Sequence, residues 1–213
     1  MRHSLLISLA LLPVIPVLAE DTPDKKQAWW PQIPGYVARS TWQPLTGKER
    51  RQYFVQQAVT SPVVYFRSFG SAVGNHLSNR PPEWGQGAEG YFHRVGDRFG
   101  RFAIEDVIRH STAAALGQEI RYVNCGCTGG FRRVGHVIAQ NFTTLDRNGK
   151  WAPNYAFMAG SAGGESLGNL WWPDRTRNKS IIVRGIAIEF GVNTAVNLYR
   201  EFLPEIKRAF GKK

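Results

Sequence analysis

Two cysteines and two methionines are all that the 213 residues contain of either kind. The scarcity of cysteine excludes a framework of several disulfides. It also excludes a cysteine-rich zinc site, because Cys125 and Cys127 have no Cys/His cluster at zinc spacing beside them. The pair sits in Asn-Cys-Gly-Cys-Thr, not in the Cys-x-x-Cys of redox enzymes, and no βαβ pattern surrounds it. Three states stay open for it: a local disulfide, a bond to another chain, or two thiols. An oxidising compartment favours a bond. Acidic residues are few as well, 16 against 27 Lys and Arg, for a formal charge of +11. Even so there is no long basic run and no nucleic-acid motif, and the basic residues are interleaved with acids. Nucleic acid is therefore not an expected partner. The turn Asp146-Arg-Asn-Gly149 lacks the acidic spacing of a calcium loop. No metal and no cofactor are expected.

What is present begins with a leader. Residues 1–19 carry Arg2 and His3, then an apolar run, then Val17-Leu18-Ala19, which reads as a signal peptide with a small-residue cleavage site. The expected location is outside the cytoplasm, in the periplasm or associated with the envelope membrane. A basic exported protein meets anionic lipid or envelope polymer, and self-association is a further expectation. Residues 20–45, rich in Pro and Trp, read as an extended or disordered arm that Trp29, Trp30 and Trp42 could lay on a surface.

Residues 46–213 read as a single helical domain. Thr46-Gly-Lys-Glu49 has the form of a capping box. The helical pattern then runs to about Leu77, with a kink or break at Ser61-Pro62. A second helix covers about Ala88–Leu116 and stops at Gly117. Its apolar residues Phe92, Val95, Phe99, Phe102 and Val107 suggest the buried face. The opposite, charged face, with Asp97 and Arg101, then Glu105 and Arg109, each pair four apart, would meet water or a polar partner. Ile120–Val123 suits a short strand. A shorter helix over Phe131–Phe142 would turn Val134, Gly135 and Ile138 inward. Another helix fits between Pro153 and Pro173. The last runs from about Ser180 to Leu203, with Pro204 opening a basic tail. The fold class is all-α, a bundle of about four to five helices, with room for one short strand pair in the 118–150 region.

Glycines repeat every four residues. Gly160, Gly164 and Gly168 form the clearest row, Gly70 and Gly74 a second, Gly96 and Gly100 a third, and Gly191 lies between Ala187 and Ala195 in a fourth. On a helix this spacing makes a groove without side chains, where another backbone can approach. The spacing resembles glycine-zipper helix packing, an architectural device that carries no function with it. The helix between Pro153 and Pro173, with Trp151 at one end and Trp171-Trp172 at the other, has the proportions of a membrane span with aromatic anchors. Glu165 and Asn169 count against that. Arg184 and Glu189 count likewise against autonomous insertion of the last helix.

Sites of chemistry are sparse. Ala159-Gly160-Ser161-Ala162-Gly163 approaches a nucleophile elbow, but every histidine precedes Ser161, against the order Ser, acid, His. Glu165, Arg184, Glu189 and His136 are the candidate buried polar cluster. Arg184 is expected to pair with Glu165 or Glu189 and fix helix register, since a buried charge must pair or neutralise. The sequence thus suggests a non-enzymatic envelope protein with a structural or interaction role. The alternative is an enzyme or ligand-binding bundle using that Glu/Arg/His site.

Overall fold

A computed structural model describes residues 35–210. The leader over 1–19, the tryptophans 29 and 30 and most of the arm lie outside the described residues. The fold is an all-α helical bundle with two short strand pairs. Helix α1 spans Gly47–Val55, and both halves of the expected capping box form at its start: Thr46 Oγ1 accepts from Glu49 N, and the Glu49 carboxylate from Thr46 N. A wide turn over Gln56–Thr60 follows. Helix α2 then restarts at Pro62 and runs to Leu77, with Ser61 Oγ capping Val63 N. A proline in the first helical position loses no bond, because that amide has no helical acceptor. Helix α3 spans Gly87–Leu116 and ends at Gly117, whose left-handed φ of 67° favours glycine.

Helix α5, Tyr155–Gly168, is capped by the Asn154 side chain and lies antiparallel against α3. The glycine row sits in this seam. A Cβ on Gly160 would stand 2.8 Å from Arg109 Cβ. One on Gly164 would stand 2.9 Å from Glu105 Cβ and 3.0 Å from the Arg101 carbonyl, and one on Gly168 would run into the Arg101 side chain. Helix α6, Lys179–Phe210, returns alongside. Its Phe190 ring packs 4.8 Å from Phe157, and its Gly185 gives room to Glu165. Four helices thus alternate in direction: α2, α3, α5, α6.

One end of the bundle carries the loops around Trp84 and Trp172. The other end carries a cap. There β1, Tyr36–Ala38, pairs parallel with β2, Tyr122–Asn124. Strand β3, Thr143–Leu145, pairs antiparallel with β4, Trp151–Pro153, across the Asp146–Gly149 turn. Helix α4, Gly130–Ala139, completes the cap. The arm is therefore partly built in. Besides β1, Trp42 Nε1 donates to Glu119 at 2.8 Å.

Four expectations are corrected. On α3 the faces are reversed: Arg94, Asp97, Arg101, Glu105 and Asp106 are buried, and Phe92, Phe99 and Val107 are exposed, leaving Phe102 as the one fully buried member of the expected stripe. Periodicity identifies which residues share a face but not which face turns inward. On α4 the inner residues are Val137 and Gln140, whereas Gly135 and Ile138 point outward. Helix α6 continues through Pro204 to Phe210 instead of stopping. Proline removes one helical donor, and Arg133 donates a side-chain bond to the neighbouring Glu201 carbonyl. The strands make two pairs, not one, because the arm supplies β1.

Candidate functional site

The interior of the bundle is charged. At mid-height, Arg67 of α2 bridges Glu105 of α3, at 3.2 Å, and Glu189 of α6. Its guanidinium also lies over the Phe102 ring, 3.8 Å from the centroid. Toward the Trp172 end, Arg101 Nε donates to Asp97 at 2.8 Å, and its Nη1 to the Glu165 carboxylate at 2.8 Å. The indoles of Trp171 and Trp172 both donate to Asp97 Oδ1 at 2.9 Å. Arg98 reaches Glu165 at 3.4 Å. Acids and bases from all four helices so interlock across small residues, which is why the glycine row is needed: it lets the α3 charges reach α5 and α6. At the same end Arg94, 0% exposed, has no acid partner among the described residues. It donates to the carbonyls of Arg80, Pro81, Gly85 and Gly90, and so pins the loop between α2 and α3.

The sequence candidates are distributed unevenly over this network. Glu165 and Glu189 are buried within it, but their partners are Arg101, Arg98 and Arg67 rather than Arg184. Arg184 is exposed, on the wall of a cavity that also reaches Glu165. His136 lies apart in the cap, where its Nε2 meets the Val123 carbonyl at 2.8 Å and its ring stacks edgewise on Trp151. Cys125 and Cys127 are joined as a local disulfide around Gly126. Ser161 is buried in mid-helix, not at the turn from β4 into α5, and its Oγ is unpartnered among the described residues. A Cβ on Gly70, Gly74, Gly96 or Gly191 would meet nothing within 4 Å, while one on Gly100 would touch Trp171 at 3.5 Å. Arg67, the single charge among the residues of α2, carried the same signal as Arg184 and Glu189, a lone charge in an apolar helix, and was passed over.

Two cavities adjoin the network. The smaller, about 120 Å³, gathers Arg67, Glu105, Asp106, Arg109, His110 and Glu189. The larger, about 510 Å³, opens at the Trp172 end between α2, α3 and α6. Among the described residues no group of three or more His, Cys, Asp or Glu side chains is arranged to hold a metal ion. No protein family, curated protein or solved structure matches the chain.

In the cap the electrostatics are local. Burial raises the Glu119 carboxyl, but its bonds from Arg121, two backbone amides and Trp42 outweigh that and hold its pKa below the ordinary 4.5. Burial, then the bond its hydroxyl donates to Glu201 at 2.7 Å, raises the Tyr122 phenol.

Proposed function

We propose that this chain is an exported membrane protein of the envelope, a bundle that closes its charges upon itself and turns its apolar side chains to lipid, with a structural or interaction role. The observation that carries the reading is the burial pattern of α2 and α3. From Pro62 to Leu77 no exposed residue is charged; the exposed set includes Val63, Phe66, Phe69, Val73 and Leu77, with Phe66 78% and Leu77 81% exposed. From Phe92 to Leu116 every charged side chain is buried or half-buried, and Phe92, Phe99, Val107 and Leu116 are exposed. In water, exposing so much contiguous apolar surface is unfavourable. In a bilayer the same pattern is the stable one, because ionisable groups there must face the bundle interior and pair.

Helix α6 supports the reading. Within Lys179–Ile206 an 18-residue window has a mean hydropathy of 1.4, yet only 17% of that window is buried. A core helix of a soluble protein would be largely buried. Open rows also stand on these flanks. Gly70 and Gly74 on α2, and Ala187, Gly191 and Ala195 on α6, are exposed, and a Cβ on any of the three glycines would meet nothing. Small-residue rows in lipid favour close helix association, so self-association along these rows is the interaction proposed. The basic rim of Arg175, Arg177 and Lys179 suits anionic headgroups.

The test is fractionation of the expressed full chain. It is expected to sediment with membranes, to resist alkaline carbonate and to need detergent for extraction. A detergent-free, monodisperse soluble monomer would overturn the reading. A second reading, a catalytic or ligand-binding bundle, rests on the convergence of Glu105, Asp106, Glu189 and His110 around the smaller cavity. Soluble behaviour together with a ligand-dependent rise in Tm that Glu189→Gln abolishes would favour it instead.

A further inference from the structure

The larger cavity contains an unbalanced set of donors. Arg80, Arg98, Arg175 and Arg184 all line it, contributed by two loops and two helices, and among the described residues Glu165 is the one acid in its wall. That acid is already held by Arg101 at 2.8 Å and by Arg98 at 3.4 Å. The side chains of Arg80, Arg175 and Arg184 make no hydrogen bond or ion pair among the described residues. Deeper in, two buried donors are unpartnered: Arg98 Nε and Asn75 Nδ2. Both belong to residues lining this cavity, and neither atom can accept a hydrogen bond. A buried donor left unmet is unfavourable, and several arginines around one space repel each other unless an anion enters.

We propose that this cavity binds an anion of the phosphate class. Water would satisfy Arg98 Nε and Asn75 Nδ2 one at a time but would leave Arg80, Arg175 and Arg184 without a counter-ion. A guanidinium fork matches the oxygens of a phosphate or carboxylate. Donors converging from α2, α3, α6 and the loops favour the group with more acceptor oxygens, which is phosphate. Such a group comes from a lipid headgroup or from free phosphate. Ile181 and Ile188 of α6 extend the wall as an apolar strip, which an acyl chain would cover. The proposal goes beyond the membrane reading and does not need it, since the donors are the same in either solvent.

The experiment uses the purified full chain in neutral detergent, titrated calorimetrically with inorganic phosphate. In parallel the chain is reconstituted in nanodiscs of phosphatidylglycerol or phosphatidylcholine and its retained lipid read by native mass spectrometry. Arg98→Gln is expected to weaken phosphate about tenfold, the loss of one charge-assisted bond. Arg184→Gln and Asn75→Ala, which break no ion pair, are expected to weaken it by smaller factors, and they keep the test decisive should Arg98→Gln fold poorly. Phosphate binding sensitive to these changes supports a free-anion site. Retention of phosphatidylglycerol over phosphatidylcholine, lost in the same variants, supports a headgroup site. Binding of neither probe, or binding unchanged in Arg184→Gln and Asn75→Ala, overturns the proposal. A chain that proves soluble yet binds phosphate refutes the membrane reading and leaves this one standing.

Discussion

The bundle and its cap follow opposite rules of burial. In the cap, Val123, Val137 and Leu145 are completely buried, while Arg39, Arg132, Arg147 and Lys150 face outward. That is the ordinary order of a protein in water. Along α2, α3 and α6 the order inverts, with Arg101, Glu105 and Glu189 inside and Phe66, Val183 and Tyr199 outside. One chain therefore has surfaces suited to two solvents. The difference teaches that the charges of α3 are neither decoration nor a water-facing stripe. They are the core.

The sharpest way to break this comparison is to unpair the inner charges. Arg101, 2% exposed, holds Asp97 and Glu165 together. Arg101→Met leaves buried Asp97 without its cation and Glu165 with Arg98 alone, and a loss of about 3–5 kcal/mol is expected in unfolding by graded denaturant in detergent. A loss below about 1 kcal/mol would mean that the interior is wet and the inversion superficial. Next in size is a charge placed outside. Phe66→Lys is expected to disfavour membrane insertion by about 2.5–3.5 kcal/mol if the residue sits at mid-bilayer. Phe131→Lys on the cap, where Phe131 is 98% exposed, should leave both insertion and Tm unchanged. Equal effects of the two changes would erase the distinction between the regions.

Glycine substitutions give a third, smaller contrast. Gly164→Ala places a methyl 3.0 Å from the Arg101 carbonyl, and overpacking of this kind is expected to destabilise by about 1–3 kcal/mol. Gly191→Ala meets open space. It should be neutral or favourable to folding by up to about 1 kcal/mol, with any damage confined to self-association measured by cross-linking. The smallest effect belongs to the cap. The Glu119 pKa lies below its ordinary value in the folded chain, so its contribution is present above pH 4.5 and fades as pH falls through the lowered folded value. Tm should decline over that acid range, and Glu119→Gln should flatten the decline.

Local signals were legible in the sequence and non-local ones were not. The Thr46–Glu49 box, the break at Pro62 and the stop at Gly117 depend on neighbours within one turn, so residue identity decided them. The row at Gly160, Gly164 and Gly168 likewise indicated close packing, though not its partner. The direction in which α3 faces depends on what the other helices place against it, such as Arg67, Glu165 and Glu189, which no stretch of α3 encodes. The pairing of Tyr36 with Tyr122 joins segments far apart in the chain. Helix continuation through Pro204 coincides with a donor from Arg133, in another helix. Glu165 and Glu189 were found because isolated acids in apolar helices stand out. Their partners are not legible because Arg101 reads as part of an outward charged face of α3, and Arg98 and Arg67 carry no pattern that points to them.

The shortness of α5 has a consequence of its own. Its 14 residues rise about 21 Å, against a hydrocarbon thickness of about 30 Å. If the bundle is embedded as proposed, beside the longer α3 and α6 it would leave a step on one flank, with Leu167, Leu170 and Trp171 exposed at one end of it. Lipid would have to shorten locally to meet that step, a hydrophobic mismatch. The protein would then prefer thin membranes, or thin the one around it. Reconstitution in short-chain and long-chain phosphatidylcholine reads this directly: a higher Tm in the shorter lipid is expected, and indifference to chain length would place α5 wholly within protein.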